Sequence, residues 1–178
     1  SSAASDVYKR QVARGAKVLG IIKGAGEKAD SFHRTRSSPD GGPAIATIRA
    51  ALADAGVAET DIGYINAHGT STPENDKMEY GSMLAVFGEG LKNIPLSSNK
   101  SMIGHTLTAA GAVEAVFSLQ TMLTGTLPPT INYNNPDPTI TLDVVPNVKR
   151  DAEVGAVLSN SFGFGGQNAS LVMTREPA

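Results

Sequence analysis

Apolar and polar residues alternate along this chain with two periods, which predict strands and helices in succession. Short apolar runs indicate strands, and apolar residues that recur every three or four positions indicate helices. The clearest helix covers Ala44–Ala55 and ends at Gly56. The predicted strands are Ala16–Ile22, Ile62–Ala67, Ile94–Ser98, Leu142–Val145, Ala156–Ser161 and Ala169–Thr174, and the other predicted helices are Pro73–Phe87 and Ala109–Leu123.

The predicted order of elements is βαβαβαβββ, which indicates an α/β fold. Strands separated by helices favour a mostly parallel sheet covered by helices, and the consecutive strands at the end favour antiparallel pairing there. In the helix Ala109–Leu123 the apolar positions nearly form one stripe, made of Val113, Val116, Leu119 and Leu123 together with Gln120.

Length and composition exclude several classes of protein. A chain of 178 residues with 40% apolar content can bury the core of one domain, or of one half of a larger one. A formal charge of −2 does not indicate a nucleic acid or a membrane surface as partner. No apolar run approaches the roughly 20 residues that cross a bilayer, so we expect a soluble, cytoplasmic protein. The absence of cysteine excludes disulfides, thiolate metal sites and a cysteine nucleophile within these residues.

Gly24, Gly26 and Ala29 fit the pattern with which dinucleotide-binding sites begin. Residues 30–42 contain no amphipathic helix whose N-terminus would bind a pyrophosphate. We therefore interpret the glycines as a turn, within a loop that extends from Gly24 to Pro43.

His68 lies in the run YINAHGTSTP, at the carboxyl end of a predicted strand. Open α/β sheets bind their ligands at that edge, and Gly69 allows the backbone to turn sharply there. The hydroxyls of Thr70, Ser71 and Thr72 favour a functional site over a histidine that is simply satisfied at a turn.

A second histidine, His105, lies in the run SNKSMIGHTLTAAG, five residues after Lys100. A nearby ammonium favours the neutral form of an imidazole. The alternatives are a capping histidine and a solvated surface lysine. If His68, His105 and Lys100 meet in one pocket, that pocket suits a developing negative charge.

Two further features add candidate residues. Glu114 is flanked by apolar residues on the next helix, so burial would require a partner, either Lys100 or a cation. The run FGFGG places Phe162 and Phe164 among glycines, as core plugs or as a gate, and Asn168 is a candidate to hydrogen-bond and hold that loop.

These motifs together resemble the 3-oxoacyl-[acyl-carrier-protein] synthases of fatty acid synthesis. The resemblance is carried by HGTSTP with Asn75, Asp76 and Glu79, by SNKSMIGHTLTAAGAVEA, PPTIN and VPN, and by SNSFGFGGQN. It extends from about residue 13 to residue 173 and implies the C-terminal half of a thiolase-like fold. Thr108 and Gln167 depart mildly from the family pattern.

The resemblance also implies roles for individual residues. His68 and His105 would complete a Cys-His-His triad beside Lys100, and the cysteine would belong to an N-terminal half. Thr70 and Thr72 would contact a phosphopantetheine arm. The resemblance further implies that Phe164 gates the acyl pocket, with Phe162 and Asn168 in support, and that Glu114 lies near Lys100 and, in some members, near a monovalent cation.

The expected activity is the decarboxylative Claisen condensation of an acyl thioester with malonyl carrier protein. No resident cofactor or metal-ligand cluster is expected, because phosphopantetheine arrives on the carrier protein. The expected partners are the acyl carrier protein, the N-terminal half of the same synthase and a second copy in a homodimer, with no nucleic acid and no membrane.

Alternatives remain at this point. The chain alone would be inactive, or it would be a non-catalytic partner like the chain-length factors, or an inactive fragment. A degradative thiolase would need a second cysteine near the C-terminus, and the chain has none. Residues 1–11, SSAASDVYKRQ, do not match the family and are interpreted as a foreign or scar segment joined to a domain of residues 12–178.

Overall fold

A five-stranded sheet with the strand order β1-β7-β6-β2-β3 runs through the computed structural model, which describes residues 9–175. A separate ladder of two short strands joins β4 and β5. The elements are β1 Ile21–Ala29, α1 Gly42–Ala55, β2 Tyr64–Asn66, α2 Pro73–Phe87, β3 Leu96–Ser97, α3 Lys100–Ile103, α4 Ala110–Thr124, β4 Thr126–Leu127, β5 Arg150–Asp151, β6 Ala156–Phe162 and β7 Gln167–Thr174.

The predicted α/β class and the mostly parallel sheet are confirmed. Strands β3, β2 and β6 pair in parallel, whereas β7 pairs antiparallel with both β6 and β1. Four of the five strands therefore point the same way. The predicted antiparallel pairing at the end of the chain corresponds to β6 and β7.

Helices cover both faces of the sheet. Because successive strand residues point to opposite faces, Val157 and Leu158 of β6 enter different cores. Leu158 packs in the cluster that includes Ile48 of α1 and Met83 of α2. Val157 packs in the cluster that includes Met122 of α4.

The first strand differs from the prediction, because β1 extends from Ile21 to Ala29 and contains the glycines that were interpreted as a turn. A Cβ on Gly24 would lie 2.3 Å from the backbone nitrogen of Ala55. A Cβ on Gly26 would lie 2.1 Å from the carbonyl oxygen of Thr47. These glycines serve the close approach of α1 to the strand.

Two other predictions concern the strand at residues 142–145 and the foreign segment at residues 1–11. Residues 142–145 were predicted as a strand and form none, since Val145 has φ 48°. The segment still runs beside β3, where the N–H of Leu96 donates to the carbonyl of Asp143 at 2.9 Å. Of the predicted foreign segment, residues 1–8 lie outside the described residues, and residues 9–13 are helical.

Helix α4 packs a largely polar face on the sheet. Part of its predicted apolar stripe points away, with Val116 57% exposed and Leu123 40% exposed, whereas Leu119 packs against the cluster that contains Met122. Within residues 9–175 no helix combines the length and apolarity needed to cross a bilayer. The buried residues of α4 are Ala110, Glu114, Ser118, Thr121 and Met122.

We expect Gly26→Ala to lower the free energy of unfolding by about 1–3 kcal/mol, because the added methyl meets helix backbone that can relax only by shifting. Gly81→Ala in α2 is the matched control, since its new Cβ meets nothing within 4 Å. Urea unfolding followed by circular dichroism measures both variants. An unchanged midpoint for Gly26→Ala would contradict the packing described here.

Candidate active site

The two histidine segments meet at the carboxyl edge of the parallel strands. Strand β2 ends at Asn66, two residues before His68, and β3 ends at Ser97, three residues before Lys100. Asn66 and Ser97 are partners in the parallel register, so both loops leave the sheet side by side. This is the edge where open α/β sheets bind ligands.

The imidazoles of His68 and His105 face each other edge to face. Their ring centroids are 5.7 Å apart and the ring planes make an angle of 81°. His68 is buried, whereas His105 is exposed. The ring of Phe162 covers another side of His68 with a centroid distance of 5.7 Å. The rings predicted to converge therefore do so, with His105 open to solvent.

Both imidazoles are held in the neutral form. Burial, followed by the charges of Lys100 and His105, lowers the pKa of His68 to about 3. Partial loss of hydration and then the Lys100 charge lower the pKa of His105 as well. The Nδ1 of His105 accepts the N–H of Leu107 at 3.0 Å, which leaves the proton of the neutral ring on Nε2. Neutral rings can still donate an N–H.

Lys100 and Glu114 form a buried ion pair. Burial raises the pKa of the Glu114 carboxyl, and the Lys100 ammonium opposes that shift. Of the two partners predicted for Glu114, Lys100 and a cation, the structure shows Lys100. Removing one partner of a buried pair costs about 3–5 kcal/mol, so the pair keeps Lys100 next to the histidines at a fixed position.

Glu79 of α2 holds the backbone of the loop that carries His68. From the sequence it is identified only as part of a motif, and no role is predicted for it. Its two carboxylate oxygens accept the backbone N–H groups of His68 and Gly69, each at 2.9 Å. The side-chain amides of Asn75 and Asn160 donate to it at 3.3 and 3.4 Å. Burial raises the pKa of Glu79, and these four donors oppose the shift.

A signal for Glu79 exists in the sequence. It lies four residues before Met83 in a predicted helix, on the same face as that buried residue. A carboxylate on a buried helical face must find donors. The backbone of a neighbouring strand-end loop can supply them.

The hydroxyls of Thr70 and Thr72 lie at the start of α2. Their Oγ1 atoms are 3.2 Å apart, and Thr72 caps the helix by accepting the N–H of Asn75 at 3.4 Å. Thr70 is half-buried and Thr72 is exposed.

The glycine-rich loop after β6 separates its two phenylalanines. Phe162 is buried against His68, whereas Phe164 is 79% exposed. Within this loop, the N–H of Gly165 donates to the carbonyl of Arg34 at 2.7 Å, which ties the loop to the segment after β1. The Asn168 side chain was expected to hydrogen-bond and hold this loop, but its buried Nδ2 has no partner among residues 9–175.

Metal binding can be checked on the same residues. No group of three or more His, Asp or Glu side chains in the described part of the chain is arranged to hold a metal ion. The buried oxygens without a hydrogen-bond partner there include Oε2 of Glu114 and Oδ1 of Asn66.

Ketosynthases are among the solved structures that share this fold. One is the AntDE:AntF structure, a type II polyketide synthase acyl-carrier protein in complex with its ketosynthase, which matches with a TM-score of 0.91 at 35% identity over 96% of this chain and 42% of that one. A beta-ketoacyl synthase from Burkholderia phymatum matches with a TM-score of 0.87 at 37% identity over 96% of this chain and 41% of its own. The fold is thus the thiolase-like fold of these ketosynthases.

A family profile described as the C-terminal domain of beta-ketoacyl synthase matches residues 19–134. The 3-oxoacyl-[acyl-carrier-protein] synthase 2 of Rhizobium meliloti is 48% identical over 92% of this chain, and that of Vibrio cholerae is 44% identical over 94%. This chain belongs to the beta-ketoacyl synthase family, as its motifs predicted. It spans 38% and 41% of the length of these two relatives.

The lowered pKa of His68 predicts an NMR result. Its Cε1–H signal should show no titration between about pH 5 and pH 8, because a pKa of about 3 keeps the ring neutral throughout. Replacing Lys100→Met and Glu114→Gln together should raise this pKa, since one positive charge is lost while burial remains. A midpoint near the ordinary value of 6.5 in the unmodified chain would show that the ring is not desolvated.

Proposed function

We propose that the synthase containing this chain extends acyl chains by decarboxylative Claisen condensation. The bond between the malonyl carboxylate and its α-carbon breaks, carbon dioxide leaves, and the electron pair becomes an enolate on the thioester. The α-carbon then attacks an acyl thioester on a cysteine, whose thiolate leaves. That cysteine lies outside this chain, which has none.

The observation that carries the proposal is the pair of neutral imidazoles, 5.7 Å apart and both next to Lys100. As the thioester oxygen becomes anionic, the N–H groups of His68 and His105 donate to it. Each such donor contributes about 10²- to 10³-fold in rate. Burial, together with the positive charge of Lys100, keeps both rings neutral in the resting state.

The substrate would enter along the exposed side of the site. Thr70 and Thr72 offer hydroxyls to a phosphopantetheine arm, which an acyl carrier protein would bring. Phe164 is exposed on a loop of glycines next to the buried Phe162, so its ring has room to swing and would gate the acyl pocket. The carrier-protein complex among the similar structures supports this partner.

The exposed apolar residues of α4 support an N-terminal half as a further partner. Helix α4 packs several polar residues on the sheet and leaves Val116 and Leu123 exposed. We expect another apolar surface to cover these exposed residues. The relatives are long enough to contain such a half, since this chain spans only about two fifths of their length. We extend the proposal to a homodimer of the complete synthase in the cytoplasm.

A monovalent cation fits the charge of the site. Glu79 lies near enough to Glu114 for its charge to raise the pKa of that carboxyl, and Lys100 offsets only one of the two. The unpartnered Oε2 of Glu114 and the Oδ1 of Asn66 are oxygen donors of the kind that hard cations prefer. When bound, the ion would supply the positive charge that balances the second carboxylate.

A second candidate function is a non-catalytic partner of a ketosynthase. The ishigamide ketosynthase/chain length factor is among the similar structures, with a TM-score of 0.88 at 38% identity. Its name includes both a ketosynthase and a chain length factor, so it is compatible with either function. The intact His68, His105 and Lys100 favour the enzyme. The residue upstream in the gene at a strand-to-helix turn discriminates: a cysteine supports catalysis, and any other residue supports the partner.

In the complete synthase, we expect His68→Ala and His105→Ala each to lower carbon dioxide release from malonyl carrier protein by about 10²- to 10³-fold. The reason is the loss of one N–H donor to the enolate oxygen. His33→Ala is the matched control, since His33 lies exposed on the loop between β1 and α1. Decarboxylation at the unmodified rate by both variants would refute the proposal.

Phe164→Ala should change which acyl lengths the synthase accepts more than it changes decarboxylation, because the ring is exposed and is not one of the groups proposed to donate to the thioester oxygen. The product profile over a series of acyl primers measures this. Val148→Ala, at another highly exposed apolar residue, serves as the control. An unaltered profile would count against a gate.

A further inference from the structure

Ser98, between β3 and α3, joins the two histidine-bearing segments. Its hydroxyl donates to the carbonyl of Gly69, the residue after His68, at 2.7 Å. Its N–H donates to the Thr130 hydroxyl at 3.2 Å, and its carbonyl accepts the hydroxyl of Ser101 at 2.9 Å. Every polar group of Ser98 therefore has a partner.

The segment Thr130–Ile131 holds Ser98 from outside the sheet. The N–H of Ile131 donates to the Ser101 hydroxyl at 3.0 Å, which adds a second bond to the same stretch. On its other side, the N–H of Thr130 donates to the carbonyl of Val145 at 3.0 Å. The carbonyl of Thr130 accepts the N–H of Asn147 at 2.9 Å. The segment is thus fixed from two directions.

The backbone on both sides of this segment is strained or tightly fitted. Val145 is fully buried with φ 48°, a left-handed conformation that β-branched residues rarely adopt. At the other end of the connection, Gly69 has φ 44°, and a Cβ there would lie 2.5 Å from the Cβ of Ser98. Strain of this kind persists where the surroundings over-determine it, and it clusters at functional sites.

We propose that Thr130 is a positioning residue, whose hydroxyl acts through Ser98 to fix the His68 loop relative to the segment that carries Lys100 and His105. The inference rests on the proposed function. The hydroxyl is the only acceptor that the structure gives to the Ser98 N–H within the described residues. Without it, a buried N–H next to the site loses its partner, and Ser98 is free to shift.

The test uses the complete synthase and a pair of variants at Thr130. Thr130→Val keeps the shape and removes the acceptor, and Thr130→Ser keeps the hydroxyl. We expect kcat for carbon dioxide release from malonyl carrier protein to fall about 10- to 100-fold in Thr130→Val, with KM unchanged, because small misplacements of catalytic groups cost this much. Thr130→Ser should recover most of the loss.

Thr126→Val is the matched control, because the Thr126 hydroxyl donates to Asp151 in the separate β4–β5 ladder, at 3.4 Å. A kcat for Thr130→Val equal to that of the control overturns the proposal. If Thr130→Val gives no folded protein, Ser101→Ala takes its place, since it removes both the acceptor of the Ile131 N–H and the donor to the Ser98 carbonyl. A kcat equal to that of the control then overturns the proposal.

A second readout needs no activity. In the 178-residue chain, the imidazole NMR signals of His68 and His105 should shift in Thr130→Val, return in Thr130→Ser and stay in place in Thr126→Val. Unmoved signals in Thr130→Val overturn the inference. An unmodified synthase that releases no carbon dioxide would refute the proposed function, whereas an active one with an equally active Thr130→Val would refute only the role of Thr130.

Discussion

The Glu79 carboxylate is the contact on which the geometry of the site depends. It lies on α2, accepts the backbone N–H groups of the loop after β2 and is reached by Asn160 of β6, so it ties a helix to two strands at one edge. Backbone N–H groups cannot rotate away as side chains do. The carboxylate therefore sets the backbone from which His68 projects, before any contact made by the imidazole itself.

The second constraint is electrostatic. The buried Lys100–Glu114 pair brings a positive charge to the two imidazoles, and that charge helps to keep them neutral. A neutral imidazole donates a proton to a hydrogen bond without attracting an anion in the resting state. Stabilisation then grows only as charge develops on the substrate, which is the condition for lowering a barrier rather than tightening ground-state binding.

Local signals predicted much of the fold. The helix Pro73–Phe87 was predicted with its observed bounds, because a proline at the first turn marks its start. Strand β1 was misplaced because Gly24 and Gly26, which pack against α1, are also typical of turns. At the site, strand-end position predicted His68, and the spacing from Lys100 within its motif predicted His105. The contacts of Glu79 and Thr130 depend on segments distant in sequence, which periodicity does not detect.

The most direct test of this account is a crystal structure of the complete synthase with a non-hydrolysable malonyl thioester analogue bound. The account predicts that the thioester oxygen lies within hydrogen-bond distance of a ring nitrogen of both His68 and His105. An oxygen bound elsewhere, with the two rings directed at separate groups, would contradict it.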